Sequence, residues 1–453
     1  MKIVKTTLWT RILSLLLVGA MLLPCLTGCA ESGMGQTDNP TEAQTTTTQN
    51  VEDPSETDPT TEPPVIEPPV QEPVSKDVTL SVWTNAEDQG EGSWLENRLE
   101  AFKAAYPEYN WTFELGACGE GDAGNVIMAD PSAAGDVFMY GNDQLGVLYQ
   151  TGALARLGGD YLKLVQESYS STLVNTVTYT DGGVYGFPMA NNTWFMYYNK
   201  DTYTAEDIKT MDGLLAKGTV AMQMGNAWYT AGFFMANGCT LFGPSGIDAA
   251  AGIQFGGQAG YEAAEAMVKV ASHENFFDDI NGSGVICMIE GSVDAMFSGS
   301  WDYAYLHEYM GDKLGVAALP TITMGGKQVQ LRAFAGSKAI GVNPHCENQK
   351  EAMMLAAFLS SEESQLERFE MRGIIPAHKN LANNATVTTS EVAAAELAVM
   401  NNCSTMQPYI DEMSAFWAPM SNFGEAVMNG DITLGNYKNY VDLLIGEINA
   451  QGL

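Results

Sequence analysis

A strand, an amphipathic helix and a second strand follow one another between residues 78 and 115. Val78–Trp83 is rich in β-branched and apolar side chains, which predicts a strand. Ser93 precedes a helical pattern that Pro107 stops, and Asn110–Leu115 predicts the next strand. The apolar side chains of this helix fall largely on one face: Trp94, Leu95, Leu99, Phe102 and Tyr106. This order predicts parallel strands joined by a helix, and therefore an α/β fold.

The same alternation continues toward the C-terminus. Further strands are predicted at Gly135–Tyr140, Thr193–Tyr198 and Asp294–Phe297, and further helices at Gly260–Ser272 and Asn348–Phe358. Residues 77–453 are numerous enough to form two lobes with separate cores.

The N-terminal residues have the pattern of a secretion signal. The apolar run Ile12–Leu23 follows Lys2, Lys5 and Arg11, and it is too short to span a bilayer as a stable helix. The sequence Leu26–Cys29 resembles a lipobox. That resemblance implies that residues 1–28 are a lipoprotein signal peptide and that Cys29 becomes the lipidated first residue of the mature protein.

A Thr-, Pro- and Glu-rich segment follows and extends over residues 29–76. It holds few apolar side chains and has no Lys or Arg before Lys76. Burial cannot offset the loss of chain entropy in such a segment, so we expect a disordered, extended tether.

Charge and cysteine usage exclude several functions. The formal net charge of −34 argues against nucleic acid and anionic membrane surfaces as partners. Only four histidines are present, and no cysteine pair has C-x-x-C spacing, so we expect neither a metal site nor a cofactor. An odd number of cysteines follows Cys29, which leaves at least one free thiol: Cys118, Cys239, Cys287, Cys346 and Cys403.

Several motifs occur in one order between residues 77 and 453. They are Gly135–Phe138, Tyr185–Pro188, Tyr197–Asp201, Glu290–Met296, Gly299–Trp301, Ala335–Ser337 and Met413–Trp417. In order and spacing the chain resembles the sugar-binding proteins of bacterial ABC importers, and the maltose and maltodextrin binders most closely. Met413–Trp417 is the most specific motif, because it resembles the maltose-binder segment that presents a sugar-stacking tryptophan.

The resemblance implies a two-lobed, type II periplasmic-binding-protein-like α/β fold with the ligand cleft between the lobes. The first lobe would comprise residues 77–190 and 338–380, and the second residues 194–333 and 385–453. The crossover segments would lie near residues 190–193 and 334–338 and within 377–390.

The same resemblance assigns candidate ligand residues. Sugar rings pack their C–H faces on aromatic side chains and need hydrogen-bond partners at their hydroxyl edges. Trp417 and Trp301 match stacking tryptophans of the family, Trp228 stands in place of a tyrosine, and Tyr140 in place of a tryptophan.

The polar candidates follow from the same matching. Asn85, Glu87 and Asp143 match hydroxyl-binding residues. Three positions depart from the maltose-binder pattern: Gln144 replaces an arginine, Asp88 a lysine and Asn192 a glutamate. Asp88 and Asn192 remain candidate ligand residues at these positions. Two cationic donors are therefore missing from the expected cleft, which leaves the sugar, its linkage and its chain length open.

The resemblance predicts a monomeric, lipid-anchored protein on the extracellular face of the cell membrane. It would bind maltose- or maltodextrin-type oligosaccharides and deliver them to the permease subunits of an ABC transporter.

One alternative is a binding protein of the same fold for another oligosaccharide, a peptide or a polyamine. The other is a glycoside hydrolase, which needs two carboxylates flanking the scissile bond. Among 55 acidic residues some pair can always be proposed, so the presence of such a pair is not evidence of catalysis. We therefore expect no enzyme.

The lipobox generates a direct test. Cys29→Ala removes the thiol that the anchor requires, so we expect the variant to leave the membrane fraction or to remain unprocessed. Fractionation and immunoblotting measure this, with Cys118→Ala as a control outside the motif. Normal processing of the Cys29 variant with full membrane retention would refute the lipobox interpretation.

Overall fold

The computed structural model describes residues 76–450. The predicted signal peptide, the lipidation site Cys29 and the tether up to residue 75 lie outside the described residues.

The described residues form alternating helices and strands. The strands are β1 Lys76–Thr84, β2 Tyr109–Ala117, β3 Val137–Gly141, β4 Phe187–Asn192, β5 Phe195–Asn199, β6 Val220–Met222, β7 Thr240–Leu241, β8 Ile253–Gln254, β9 Phe276–Asp278, β10 Ala295–Ser298, β11 Leu314–Ala317, β12 Thr321–Met324, β13 Lys327–Gln330, β14 Ala333–Val342 and β15 Ser404–Met406. The α-helices are α1 Trp94–Ala105, α2 Ala123–Ile127, α3 Leu145–Gln150, α4 Gly159–Ser168, α5 Ser171–Thr176, α6 Met211–Leu215, α7 Ala227–Ala236, α8 Gly257–Ala271, α9 Gly284–Ile289, α10 Tyr303–Met310, α11 Gln349–Leu359, α12 Glu362–Arg372, α13 Ala385–Thr388, α14 Glu391–Asn402, α15 Ser414–Met428 and α16 Tyr437–Ala450.

The first strand–helix–strand unit is confirmed. The Ser93 hydroxyl accepts a hydrogen bond from the backbone N–H of Glu96 at 3.3 Å, which caps α1, and the helix ends before Pro107. Trp94 is buried, and its indole N–H donates to the Ser364 carbonyl at 2.7 Å. Strands β1 and β2 are parallel over their whole length, as the helical crossover requires.

Two mixed sheets carry the fold. The first has the order β15-β14-β3-β1-β2, with β4 also paired to β14. In it β1 is parallel to β2 and β3, whereas β14 is antiparallel to β3 and β4. The second has the order β11-β5-β10-β6-β9, in which β10, β6 and β9 are parallel and β5 is antiparallel to β10 and β11.

The buried apolar residues separate into two cores, one for each sheet. The first core includes side chains of β1, β3 and α11, and the second includes side chains of β5, β6 and β10. This arrangement is a two-lobed α/β fold, as predicted. Phe369 and Ile375 differ from the predicted division, because they lie within the 338–380 segment assigned to the first lobe but pack in the second core.

Strand β14 belongs to both lobes. Phe334 packs in the second core, and Ala339, Ile340 and Val342 pack in the first. The register of β14 against β4 shifts between Lys338 and Ala339. The crossover predicted near residues 334–338 is therefore one continuous strand with an irregularity at Lys338.

A buried ion cluster joins α12 to the loops that follow β1 and β2. The Arg368 guanidinium lies 2.5 Å from an Asp88 oxygen and 2.9 Å from a Glu120 oxygen, and all three side chains are buried. Arg372 and Lys338 extend the cluster, at 3.4 Å from Asp88 and 3.2 Å from Glu120. Burial opposes the ionisation of Glu120, but Lys338 and Arg368 hold its pKa at about 2.

Removing the central cation should destabilise the fold. Arg368→Met leaves Asp88 and Glu120 buried without that partner, which typically costs about 3–5 kcal/mol. The control is Lys163→Met, which breaks only the exposed 3.8 Å pair with Glu167 and should cost less than ~1 kcal/mol. Urea unfolding measures both, and equal losses would contradict a structural role for this cluster.

Candidate functional site

A cavity of about 860 Å³ opens between the two lobes. Its volume lies in the upper part of the range usual for small-molecule sites. Both lobes and strand β14 supply its lining: Asn85, Glu87, Glu120, Ile286, Trp301, Asp302, Ala304, Tyr305, Glu308, Lys338, Met371 and Arg372. The predicted residues Asn85, Glu87 and Trp301 are thus brought together in one cavity.

Trp301 is the aromatic residue that follows β10. Gly299 has no side chain, and a Cβ there would overlap the indole ring of Trp301. The Trp228 ring lies 5.9 Å from the Trp301 ring, and the Lys338 ammonium lies 4.7 Å from its centroid. A glycine, a second indole and a cation therefore fix the Trp301 ring where the second lobe borders the cavity.

Lys338 and Arg372 are cations of the cavity that the resemblance to maltose binders did not predict. In those binders the cations occupy the positions of Asp88 and Gln144. The only sequence feature that placed Lys338 near the cavity is its position in the predicted crossover segment. Arg372 is the last residue of α12, and no sequence signal linked it to the cavity. The cavity therefore has cationic donors from other positions of the chain.

Asn85 and Glu87 are positioned differently on the first lobe. The Asn85 side chain donates to the Glu120 carboxylate and accepts from the Glu120 backbone N–H at 3.1 Å. This pair of bonds fixes the amide at the cavity wall. Glu87 is exposed in the short 3₁₀ turn after β1.

Asp143, Trp228 and Asn192 lie around β14 rather than in the cavity lining. The Trp228 indole N–H donates to the Gln407 side-chain oxygen at 3.1 Å, and the Gln407 amide donates to Asp143. Burial raises the pKa of Asp143 to about 6, although the bond from Gln407 opposes the rise. Asn192 pairs with Gly336 of β14. Gln407 is a further polar residue that the sequence comparison did not identify.

Tyr140 lies in the first core and is not part of the cavity lining. It lies in β3, a strand whose residues are all buried, and its side chain is 0% exposed in the first core. Its hydroxyl lies 3.4 Å from the Tyr185 carbonyl, and burial raises its pKa. The predicted sugar platform at this position is replaced by a core tyrosine.

Asp88 and Gln144 also have internal partners. Asp88 is buried, and its carboxylate is bound by Arg368 and Arg372. The Gln144 side chain accepts from the Gly124 N–H at 2.5 Å and thereby holds helix α2. The structure therefore places Asp88 in the fold's ion cluster and not at the cavity surface, unlike the predicted ligand role.

Trp417 lies in the first turn of α15 and is half-buried. Its ring packs on Phe334 of β14 at 6.0 Å and on Phe416 at 5.4 Å. It is not part of the cavity lining. Its contact with Phe334 places it beside the strand that joins the lobes.

Two acidic side chains on the second lobe have raised pKa values. Burial raises the pKa of Asp302 to about 6, although a hydrogen bond from Ser298 opposes the rise. Burial raises the pKa of Glu396 on α14 to about 8, although Ser300 and Lys338 oppose the rise. Neither Glu396 oxygen has a hydrogen-bond partner of good geometry. Near neutral pH, an uncharged acid therefore lies behind the turn that carries Trp301.

Neither a metal centre nor a membrane span is found in residues 76–450. Within this range, no group of three or more His, Cys, Asp or Glu side chains could hold a metal ion. None of the helices described there is long and apolar enough to cross a bilayer.

Two lobes with a solute-sized cavity between them define a binding protein for a small molecule. The chain belongs to the family of bacterial extracellular solute-binding proteins, whose sequence model matches residues 97–395. The family predicted from the motifs is thereby confirmed.

Three similarities show the extent of this relationship. The galactooligosaccharide-binding protein of Bacillus subtilis (strain 168) is 26% identical over 376 residues, covering 79% of this chain and 86% of that protein. A maltooligosaccharide ABC transporter solute-binding lipoprotein of Streptococcus pneumoniae (strain ATCC BAA-255 / R6) is 28% identical over 314 residues, covering 63% and 70%. A solved structure with acarbose is 43% identical, has a TM-score of 0.80, and covers 83% of this chain and 99% of that chain.

The buried acid predicts a pH dependence of stability. Glu396 holds its proton in the folded state up to about pH 8, whereas an unfolded glutamate loses it near pH 4.3. The folded state therefore binds more protons between these values, and stability falls as pH rises, by up to ~1.4 kcal/mol per pH unit.

Glu396→Gln should remove this slope, because an amide does not titrate. The measurement is the free energy of unfolding in urea at pH 5, 6, 7 and 8. The control is Glu391→Gln, an exposed position on the same helix, whose free energy of unfolding should change with pH as in the unmodified protein. The expectation is wrong if the free energy of unfolding of the Glu396 variant has this same pH dependence.

Proposed function

We propose that this chain is the extracellular, lipid-anchored binding component of an ABC importer for maltodextrin-type oligosaccharides. The inter-lobe cavity binds the sugar, and the loaded protein delivers it to the permease subunits. The anchor is Cys29, and the segment between Cys29 and β1 separates the binding domain from the membrane. The protein acts as a monomer and catalyses no reaction on the sugar.

The observation that carries this proposal is the composition of the cavity wall. The second lobe supplies the Trp301 ring, the first supplies Asn85 and Glu87, and the cations Lys338 and Arg372 line the same cavity. A sugar needs such a combination, because its C–H face packs on an aromatic ring while its hydroxyls exchange hydrogen bonds. The similarity to a maltooligosaccharide-binding lipoprotein and to a structure with acarbose supports the maltodextrin class.

Four further candidate residues would border the proposed site. Trp228 extends the aromatic surface behind Trp301, while Asp143 and Asn192 lie beside β14. Trp417 stays a predicted stacking residue, and its ring is only partly buried. A ligand that contacts both lobes stabilises their closed arrangement through those shared contacts.

A galactooligosaccharide is the second candidate ligand. The observation favouring it is the similarity to the galactooligosaccharide-binding protein, which extends over 79% of the chain. Both ligand classes share ring faces and hydroxyl edges. They differ in hydroxyl orientation and linkage, so a comparison of affinities separates them.

Isothermal titration of the full-length protein with maltotriose, and with a galactotriose as comparison, tests the proposal. A polyoxyethylene detergent keeps the lipoprotein soluble, since the head group of a maltoside detergent would compete. We expect binding of maltotriose, weaker binding of the galactotriose, and no hydrolysis product by chromatography.

Trp301→Ala should weaken maltotriose binding by roughly thirtyfold or more, because it removes a large apolar contact. The control is Trp111→Ala, an indole on β2 that packs against Phe102 and does not line the cavity. This control should retain its affinity. Tighter binding of the galactotriose would favour the second candidate, a product would indicate an enzyme, and no binding of either sugar would refute both.

A further inference from the structure

Helix α10 and the turn before it carry a stripe of aromatic side chains. Trp301, Tyr305 and Tyr309 are spaced four residues apart, and this spacing places successive residues on one helical face. The rings of Tyr305 and Tyr309 lie 4.9 Å apart at 61°. The stripe begins in the cavity, because both Trp301 and Tyr305 line it.

The outer part of this stripe is open to solvent. Tyr305 is 42% exposed and Tyr309 is 58% exposed. Two more apolar side chains flank it, Ile286 of α9 at 46% and Met371 of α12 at 37%, and both line the cavity. Single exposed apolar residues are ordinary, but a group continuous with a cavity marks a binding surface.

Polar side chains border the same surface. Glu308 follows Tyr305 on α10, Arg372 ends α12 and pairs with Asp88, and both Glu308 and Arg372 line the cavity. The surface therefore offers an acceptor and a donor next to two aromatic rings. An aromatic surface beside hydrogen-bonding side chains, as described around Trp301, therefore occurs again one turn along α10.

The other face of α10 shows that exposure of tyrosines is not a general property of this helix. Tyr303 stacks on His307 at 5.4 Å and 19°, and its ring lies against Gly373. Tyr303 is thus held by neighbours within the protein, whereas Tyr305 and Tyr309 turn to the cavity mouth and to solvent.

We infer that Tyr305 and Tyr309 form an outer subsite for sugar units that extend beyond Trp301, so that the preferred ligand is a linear oligosaccharide longer than a trisaccharide. This inference rests on the proposed function. The centroids of the two rings lie 4.9 Å apart, a distance comparable to the length of one hexose unit. Consecutive units of one chain therefore meet consecutive rings.

The test compares ligands of increasing length on the full-length protein. Maltotriose, maltotetraose, maltopentaose and maltohexaose are titrated by calorimetry in a polyoxyethylene detergent. We expect the affinity of the unmodified protein to rise by about fivefold or more beyond maltotriose, since added units bury additional ring surface.

Tyr309→Ala should abolish this gain and leave the affinity for maltotriose within about twofold. Tyr305 lines the cavity itself, so Tyr305→Ala should weaken maltotriose and weaken the longer sugars further. Tyr305→Phe should retain most of the gain, because the ring remains. The matched control is His307→Ala on the same helix, which lies off the stripe and should behave like the unmodified protein. Thermal unfolding of each variant without ligand verifies that it is folded.

Three outcomes would overturn the inference. Equal affinity of the unmodified protein for all four sugars would show that no outer subsite exists, while the proposed function would stand. A Tyr309→Ala variant that weakens all four sugars by one factor, or that changes none of them, would also overturn it. If none of the four sugars binds, the proposed function fails and the inference fails with it.

Discussion

The charged cluster around Arg368 is the constraint on which the arrangement of the cavity depends. A guanidinium without solvent must be matched by carboxylates, and Asp88 and Glu120 supply them from the loops that follow β1 and β2. Glu120 then binds Asn85 and Lys338, which both reach the cavity. Lys338 in turn lies over Trp301 of the other lobe. One buried cation is thus the first member of a chain of contacts that runs through Glu120 and Lys338 to Trp301 and connects the two lobes.

Much of the fold follows from local sequence signals. The cap at Ser93 and the stop at Pro107 bound α1, and the apolar strands on either side are parallel because a helix connects them. Such signals involve residues that are close together in the chain, so they can be recognised in the sequence without knowledge of distant contacts. Phe369 was assigned to the first lobe but packs in the second core, because the lobe that a helix joins depends on contacts between segments far apart in the sequence.

The candidate site was predicted less completely. Asn85, Glu87 and Trp301 meet in one cavity, but Asp88 is bound by an arginine 280 positions away, and no local pattern shows such a partner. Tyr140 was assigned to the ligand from its match to a family tryptophan, whereas its strand is buried on both faces and has no alternation that would distinguish inward from outward side chains. The cations of the cavity come from β14 and the end of α12, two segments that are neighbours only in the folded chain.

The irregularity in β14 has a mechanical consequence. The strand is anchored at one end in the second core and at the other in the first, and its register shifts at Lys338. Any rotation of one lobe against the other must bend this strand, and a bend concentrates where regular pairing is interrupted. The side chain at that point contacts Glu120 on one lobe and Trp301 on the other. The residue at this irregularity is also part of the cavity wall, so a bend of the strand there would change the shape of the cavity.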